Sequence, residues 1–287
     1  MSGQRAANTA VGSSSAVISR RRLLGLGLTA GVGLAAGLTG CSLGSPSFPD
    51  APNARRGGPS CVPRSSLTNY RKLADVSLVY EDNQRRSSFA IDPGFADQLT
   101  AWLSDLAELT GWSLDQVWTY GTWTSGSPEC SSWHNAGRAI DLTRLRLDSG
   151  DFVSARYDRW RDATGNRLTT ARRAYWATAA SAHKHFAYVL TYLYNEQHHS
   201  HLHLDNSRSG SALSRFNRRS RVQVQAVQAI CRYLWEIPVE LTGSWNRPTR
   251  QAARSVLTVL GLGDDLTDQQ TWTAFLTEST RRGAEPA

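Results

Sequence analysis

At 287 residues, with ten Trp, nine Tyr and seven Phe, the chain is too aromatic to be disordered and long enough for one good core with a smaller module beside it. The formal charge of +8 counts Arg5, Arg20, Arg21 and Arg22, which lie in an N-terminal segment that reads as removable; without them 28 basic residues face 24 acidic ones, a balance of +4. A surplus that small suits an anionic wall or membrane surface and excludes the concentrated basic stripe of a nucleic-acid binder.

Residues 1–40 read as an export signal: a polar start, then Ser19-Arg20-Arg21-Arg22-Leu23-Leu24, then an apolar run of Gly, Ala and Leu. The paired arginines resemble a twin-arginine signal. The run ends in Leu38-Thr39-Gly40-Cys41, which resembles a lipobox and predicts cleavage before Cys41, with diacylglycerol on its thiol. An uncleaved membrane anchor is the alternative. Both place the body outside the cytoplasm, and the lipid route fixes it to the outer face of the cytoplasmic membrane. Residues 41–68, rich in Ser, Pro, Gly and Arg, form a flexible tether.

From residue 69 to 208 the pattern is that of an α+β domain. Val76, Leu78 and Tyr80 alternate as a short strand does. Phe95, Leu99, Trp102, Leu103, Leu106 and Leu109 then fall on one helical face, with Pro93 in the first turn and Gly111 at the C-terminal cap. A strand over 117–123 places Val117, Thr119, Gly121 and Trp123 on one face. Residues 148–170 read as a turn and surface loop. A second long helix carries Tyr175, Ala179, Ala182, Phe186, Val189, Leu190 and Leu193, and residues 201–205 return as a strand. Three shorter helical patterns follow a linker at 209–221 and form a small domain over 222–280, the last opening on a capping box of Thr267 and Gln270.

The chemistry concentrates in residues 132–141, Ser-Trp-His-Asn-Ala-Gly-Arg-Ala-Ile-Asp, and in His201-Leu202-His203. His134, Asp141 and His203 are two imidazoles and a carboxylate, a donor set that suits one Zn2+ and leaves a fourth position for water. Strand alternation puts His201, His203 and Asp205 on one face and Leu202 and Leu204 on the other. That makes His201 a candidate to move the water's proton and Asp205 a candidate to fix an imidazole tautomer. A hydrogen-bonded cluster without metal is one alternative; a ligand register using Glu196 and His199 is another. His198 and His199 read as exposed loop residues near the mouth of the site, His183 and His185 as packing or surface residues, and Trp112, Trp118, Trp123 and Trp133 as mainly core. With Cys41 lipidated, three cysteines remain in an oxidising compartment; Cys231 lies on an apolar helical face with Val227, Ile230 and Leu234, which favours a Cys61 to Cys130 disulfide.

Residues 132–141 match SxHxxGxAxD, and the later HxH matches as well. Together they resemble the zinc D-Ala-D-Ala carboxypeptidases and the wider superfamily that joins these to lysostaphin-type endopeptidases and hedgehog domains. The branch the chain resembles is the extensin-like C-terminal domain of bacterial envelope proteins, which ends in a comparable His-Leu-His-hydrophobic-Asp strand. The resemblance implies a small antiparallel sheet with flanking helices around a mononuclear zinc site. His134, Asp141 and His203 would bind the ion, His201 would act as catalytic base or stabilise the transition state, and Ser132 would support the site without being a nucleophile. Gly137 and Ala139 would be kept small so that the chain can bend between ligands. The sequence departs from the carboxypeptidases in two places: Ser200 stands where they place a Glu, and residues 119–124 hold no Arg for a substrate's terminal carboxylate.

Farther on, Val224-Gln225, Leu241-Thr242-Gly243-Ser244-Trp245, Ala252-Ala253, Gly261-Leu262 and Thr271-Trp272 resemble the small three-helix peptidoglycan-binding domain, without its usual Phe-Gln in the middle helix. The resemblances imply a lipid-anchored zinc peptidase that hydrolyses peptide bonds in peptidoglycan stem peptides or cross-links. A non-catalytic wall-binding or scaffolding lipoprotein that keeps the same fold is the alternative.

Overall fold

The computed structural model describes residues 60–125, 130–205 and 212–286. The export signal, Cys41 and residues 42–59 of the tether lie outside them. The first strands are β1 (Thr68–Tyr70), β2 (Lys72–Leu73), β3 (Val76–Tyr80), β4 (Arg85–Arg86) and β5 (Phe89–Ile91). β1 and β5 pair antiparallel as a separate ribbon. Helix α1 (Pro93–Thr110) starts where the sequence places it, because the Asp92 side chain accepts from the Phe95 N–H at 3.1 Å and Pro93 needs no partner for its nitrogen. It stops at Gly111, whose φ of 70° only glycine adopts cheaply. Phe95, Leu99, Trp102, Leu103, Leu106 and Leu109 are buried as predicted.

Because α1 carries the chain back across the sheet, β6 (Leu114–Thr119) runs parallel to β3. Every other pairing is antiparallel: β6 with β7 (Ala139–Leu147), β7 with β8 (Phe152–Ser154), and β7 with β10 (Leu202–Asp205), which in turn pairs with β9 (Tyr188–Leu190). The main sheet has the order β2-β3-β6-β7-β10-β9, with β4 beside β3 and β8 beside β7. This is an α+β fold with a small, mostly antiparallel sheet and flanking helices. The short helix α2 (Tyr157–Trp160) and the long α3 (Gly165–His185) lie between β8 and β9. Helices α4 (Arg221–Tyr233), α5 (Arg247–Val259) and α6 (Gln269–Ala284) complete the chain.

Three sequence expectations give way to tertiary contacts, and a fourth to a cap one residue farther on. The strand predicted over 117–123 ends at Thr119, and Trp123 instead donates its indole N–H to the Val62 carbonyl at 3.0 Å. Residues 148–170 are not all loop: β8 pairs with the end of β7, and α2 buries Trp160. The second helix ends at His185, so Val189 and Leu190 lie on β9, where the partner strand β10 outweighs helical periodicity. The last helix is capped by Asp268, which accepts from the Thr271 N–H at 2.8 Å, and not by Thr267.

The predicted helical domain over 222–280 also sits differently from a module on a linker. Its three helices are present, but their core is continuous with that of the sheet. A Cβ on Gly283 of α6 would lie 2.7 Å from Ala177 Cβ of α3, so the two helices meet at a position only glycine fits. The Trp272 indole donates to Ser214 Oγ at 2.9 Å, the Ser214 N–H to the Lys184 carbonyl at 2.8 Å, and Gln225 Nε2 to the Leu193 carbonyl at 3.0 Å. Ser214 and Phe216, within the predicted linker, are buried.

A disulfide joins Cys61 to Cys130, and Cys231 is a buried free thiol, both as the cysteine count suggests. The disulfide spans 69 residues, so its loss frees a long loop in the unfolded chain. Reduction should lower stability by about 2–4 kcal/mol in urea denaturation. The Val62 N–H also donates to the Asn135 carbonyl at 2.9 Å, so hydrogen exchange should quicken in residues 130–137 before the sheet responds.

Candidate metal centre

Asp141 and His203 are direct partners across the antiparallel β7–β10 pair, and Asp205 faces Ala139 two residues along. Alternation then sends Ile140, Leu142, Leu202 and Leu204 into the core, all fully buried. The carboxylate and the imidazole therefore leave the opposite face together, as cross-strand neighbours do. Ala139 is small where Asp205 needs room.

His134 arrives from outside the sheet, on a 3-10 turn (Trp133–Ala136). Ser132 caps this turn: its Oγ accepts the His134 N–H at 3.3 Å, while Asn135 Oδ1 accepts the Ser132 N–H at 3.2 Å. Asn135 Nδ2 also donates to the Thr124 carbonyl at 3.2 Å. Gly137 ends the turn at φ 65°, and a Cβ there would stand 2.7 Å from Leu67 Cδ1 and 3.2 Å from the Asp92 nitrogen. Both conformation and space demand glycine.

The three donor atoms form a nearly equilateral triangle. His134 Nε2 lies 3.2 Å from Asp141 Oδ1 and 3.2 Å from His203 Nδ1, and His203 Nδ1 lies 3.0 Å from Asp141 Oδ1. A tetrahedral ion with bonds of about 2.0–2.1 Å needs donors about 3.3 Å apart, so the triangle fits after a shift of a few tenths of an ångström. Among the described residues this is the one group of three or more such side chains that converges closely enough to hold a metal ion. Behind it, His203 Nε2 is 2.9 Å from Asp205 Oδ2, the contact that fixes which ring nitrogen faces the triangle.

Two imidazole nitrogens and a carboxylate oxygen this close require a positive charge among them, supplied by a proton or a metal cation. Burial would raise the Asp141 carboxyl, but hydrogen bonds from His134 and His203 outweigh it and hold the group well below the carboxylate range. Burial would likewise lower His203, yet Asp141 and Asp205 push it up to about 10. Protons and metal therefore compete for the same atoms.

His201 stands beside the triangle without joining it. Its Nε2 is 3.5 Å from Asp141 Oδ1, and its Nδ1 is 3.2 Å from Ser200 Oγ. Tyr120 packs edge-on against its ring with centroids 6.0 Å apart. Burial pushes the imidazole down, with Asp141 only partly opposing. The rival register does not form: Glu196 is exposed, and His199 packs its ring on Tyr157 at 5.1 Å. His183 is fully buried, and His185 pairs with Asp105 at 3.0 Å.

Two features escape the sequence. His198, expected exposed near the mouth of the site, is instead half-buried, with its ring 5.1 Å from His201 and 6.2 Å from His203. Burial and the neighbouring His201 and His203 drive its pKa down to about 3. The second is Glu81 at the end of β3, which accepts from Thr143 at 2.7 Å, Arg144 at 3.0 Å and Arg156 at 2.9 Å. Arg156 in turn lies 5.9 Å from the Tyr120 ring. No local spacing announces this network, since its members come from separate elements; the only sequence signal is an acidic residue closing an apolar strand.

Residues 95–215 match the family described as extensin-like protein C-terminus. The match runs from α1 past β10 and contains His134, Asp141, His201, His203 and Asp205. No curated protein and no solved structure matches the chain.

Proposed function

We propose that the chain is a zinc-dependent peptidase of the cell envelope that hydrolyses peptide bonds in peptidoglycan stem peptides or cross-links. One observation carries the reading: His201 holds Nε2 3.5 Å from Asp141 Oδ1, next to a three-donor triangle but outside it. A purely structural ion needs no such neighbour, whereas hydrolysis needs a group to move a proton. The donor set of two imidazoles and one carboxylate favours zinc over the oxygen-loving cations. Zinc bound there would supply Lewis acidity and lower the pKa of a water.

The remaining steps fall to the protein. His201 Nε2 takes the proton from the attacking water and returns it to the leaving amine. Ser200 Oγ, at Nδ1, orients that ring in the position where the carboxypeptidases that the motif resembles carry a carboxylate. Asp205 keeps His203 Nε2 occupied so that Nδ1 stays turned to the triangle. Arg156, the guanidinium beside the Tyr120 ring, is already engaged by Glu81 and Asp158. It is not free to hold a terminal carboxylate, which favours an endopeptidase over a strict carboxypeptidase. The wall as substrate rests on the export signal, the lipobox at Cys41 and the likeness of the last three helices to a peptidoglycan-binding domain.

The test is incubation of the full-length chain with purified peptidoglycan, followed by mass analysis of the released fragments. The wild type should release new muropeptides, and His201→Ala should do so at least about 100-fold more slowly while holding as much zinc. Bound zinc with no new fragments from the wild type would sink the peptidase reading and leave the wall-binding lipoprotein.

A further inference from the structure

Four imidazoles gather at the candidate metal centre, and the fourth, His198, has no part in the scheme above. The 3-10 turn Glu196–His199 sets its ring beside His201 and His203, and Tyr194 closes on it edge-on with centroids 5.1 Å apart. Its Nδ1 lies 2.6 Å from Asn195 Oδ1. An amide oxygen only accepts, so Nδ1 carries the proton and Nε2 carries a lone pair. No described residue hydrogen-bonds Nε2, and it is not among the buried polar atoms that lack a partner, so among the described residues it is open to solvent. A half-buried imidazole with its tautomer locked and its acceptor nitrogen turned to solvent is prepared for a ligand.

We propose that His198 Nε2 accepts a hydrogen bond from an N–H of the molecule bound at the triangle, making His198 a substrate-contact residue for ligands with an amide-type N–H. The inference rests on the metal-centre reading and adds the recognised group: a peptide N–H next to the reacting carbonyl. Asn195 is a positioning residue, acting only through the His198 ring.

The test uses the full-length chain loaded with cobalt(II) and followed by visible absorption. Two small probes distinguish an acceptor from mere packing: acetohydroxamate carries an N–H beside its metal-binding oxygens, and N-methylacetohydroxamate does not. In His198→Ala, cobalt affinity should stay within about twofold of the wild type, and acetohydroxamate should bind about five- to tenfold more weakly, the effect of one hydrogen bond. N-methylacetohydroxamate should change by less than about twofold, and Asn195→Ala should show a smaller loss in the same pattern. Equal losses for both probes, or none for either, would overturn the proposal, as would loss of cobalt from His198→Ala. Failure of the wild type to bind cobalt would instead remove the metal centre itself, and the role of His198 with it.

Discussion

Replacing His203 with Ala should abolish stoichiometric zinc binding, the largest single effect expected in this protein. His203 contributes one vertex of the triangle, 3.0 Å from Asp141 Oδ1 and 3.2 Å from His134 Nε2, and no third donor lies close enough to replace it among the described residues. Competition against a chromophoric chelator gives the affinity. Asp205→Asn is the graded control, because it removes only the carboxylate behind His203 Nε2 and should cost about 10- to 100-fold. His203→Ala should exceed that loss. Equal zinc affinity in wild type and His203→Ala would show that the ion, if bound, sits elsewhere.

The second large effect lies under the site. Glu81 is 6 % exposed and its carboxylate serves Thr143, Arg144 and Arg156 at once. Removing it in Glu81→Ala leaves the Arg144 guanidinium, its side chain only 23 % exposed, without its anion, and the Arg156 guanidinium, 13 % exposed, with Asp158 alone. Breaking one side of such a buried network costs about 3–5 kcal/mol, readable as a fall in the urea midpoint at pH 7. The pH dependence has a defined sign. Burial alone would raise the Glu81 carboxyl, but the hydrogen bonds from Thr143, Arg144 and Arg156 hold it below its ordinary value. Its stabilisation is therefore complete above the unfolded pKa of about 4.3 and is lost as pH falls through the lower folded value. Stability of the wild type should decline below about pH 4.3, and Glu81→Gln should flatten that decline.

What the sequence reveals divides along a physical line. Local rules were sufficient where a segment answers mainly to its own pattern. The α1 face and its Asp92 and Gly111 ends are local capping and periodicity, and the 201–205 alternation alone places His203 and Asp205 on one face. The three residues of the candidate centre were legible because their two motifs are short and their chemistry narrow. The Cys61–Cys130 pairing followed from the apolar face that claims Cys231.

Local rules failed where a distant partner decides. Val189 and Leu190 continue a helical period, yet hydrogen bonds to β10 make them strand. Residues 222–280 have the repeat of a free helical module, but Gly283 against Ala177 and Ser214 beneath Trp272 merge their core with that of the sheet. His198 looked like one more loop histidine because burial of a loop residue depends on what folds over it, here Tyr194 and the His201 ring. Glu81, Arg144 and Arg156 come together only when β3, β7 and the turn before α2 meet.

Everything proposed for this chain depends on one ion held by His134, Asp141 and His203. X-ray absorption at the zinc edge, on the full-length chain loaded with one equivalent, examines that directly. Only nitrogen and oxygen neighbours are expected, at about 2.0–2.2 Å, with the outer-ring scattering of two imidazoles. A sulfur neighbour at about 2.3 Å, which would bring in Cys231 or a reduced disulfide, or a shell without imidazole scattering, would contradict that expectation.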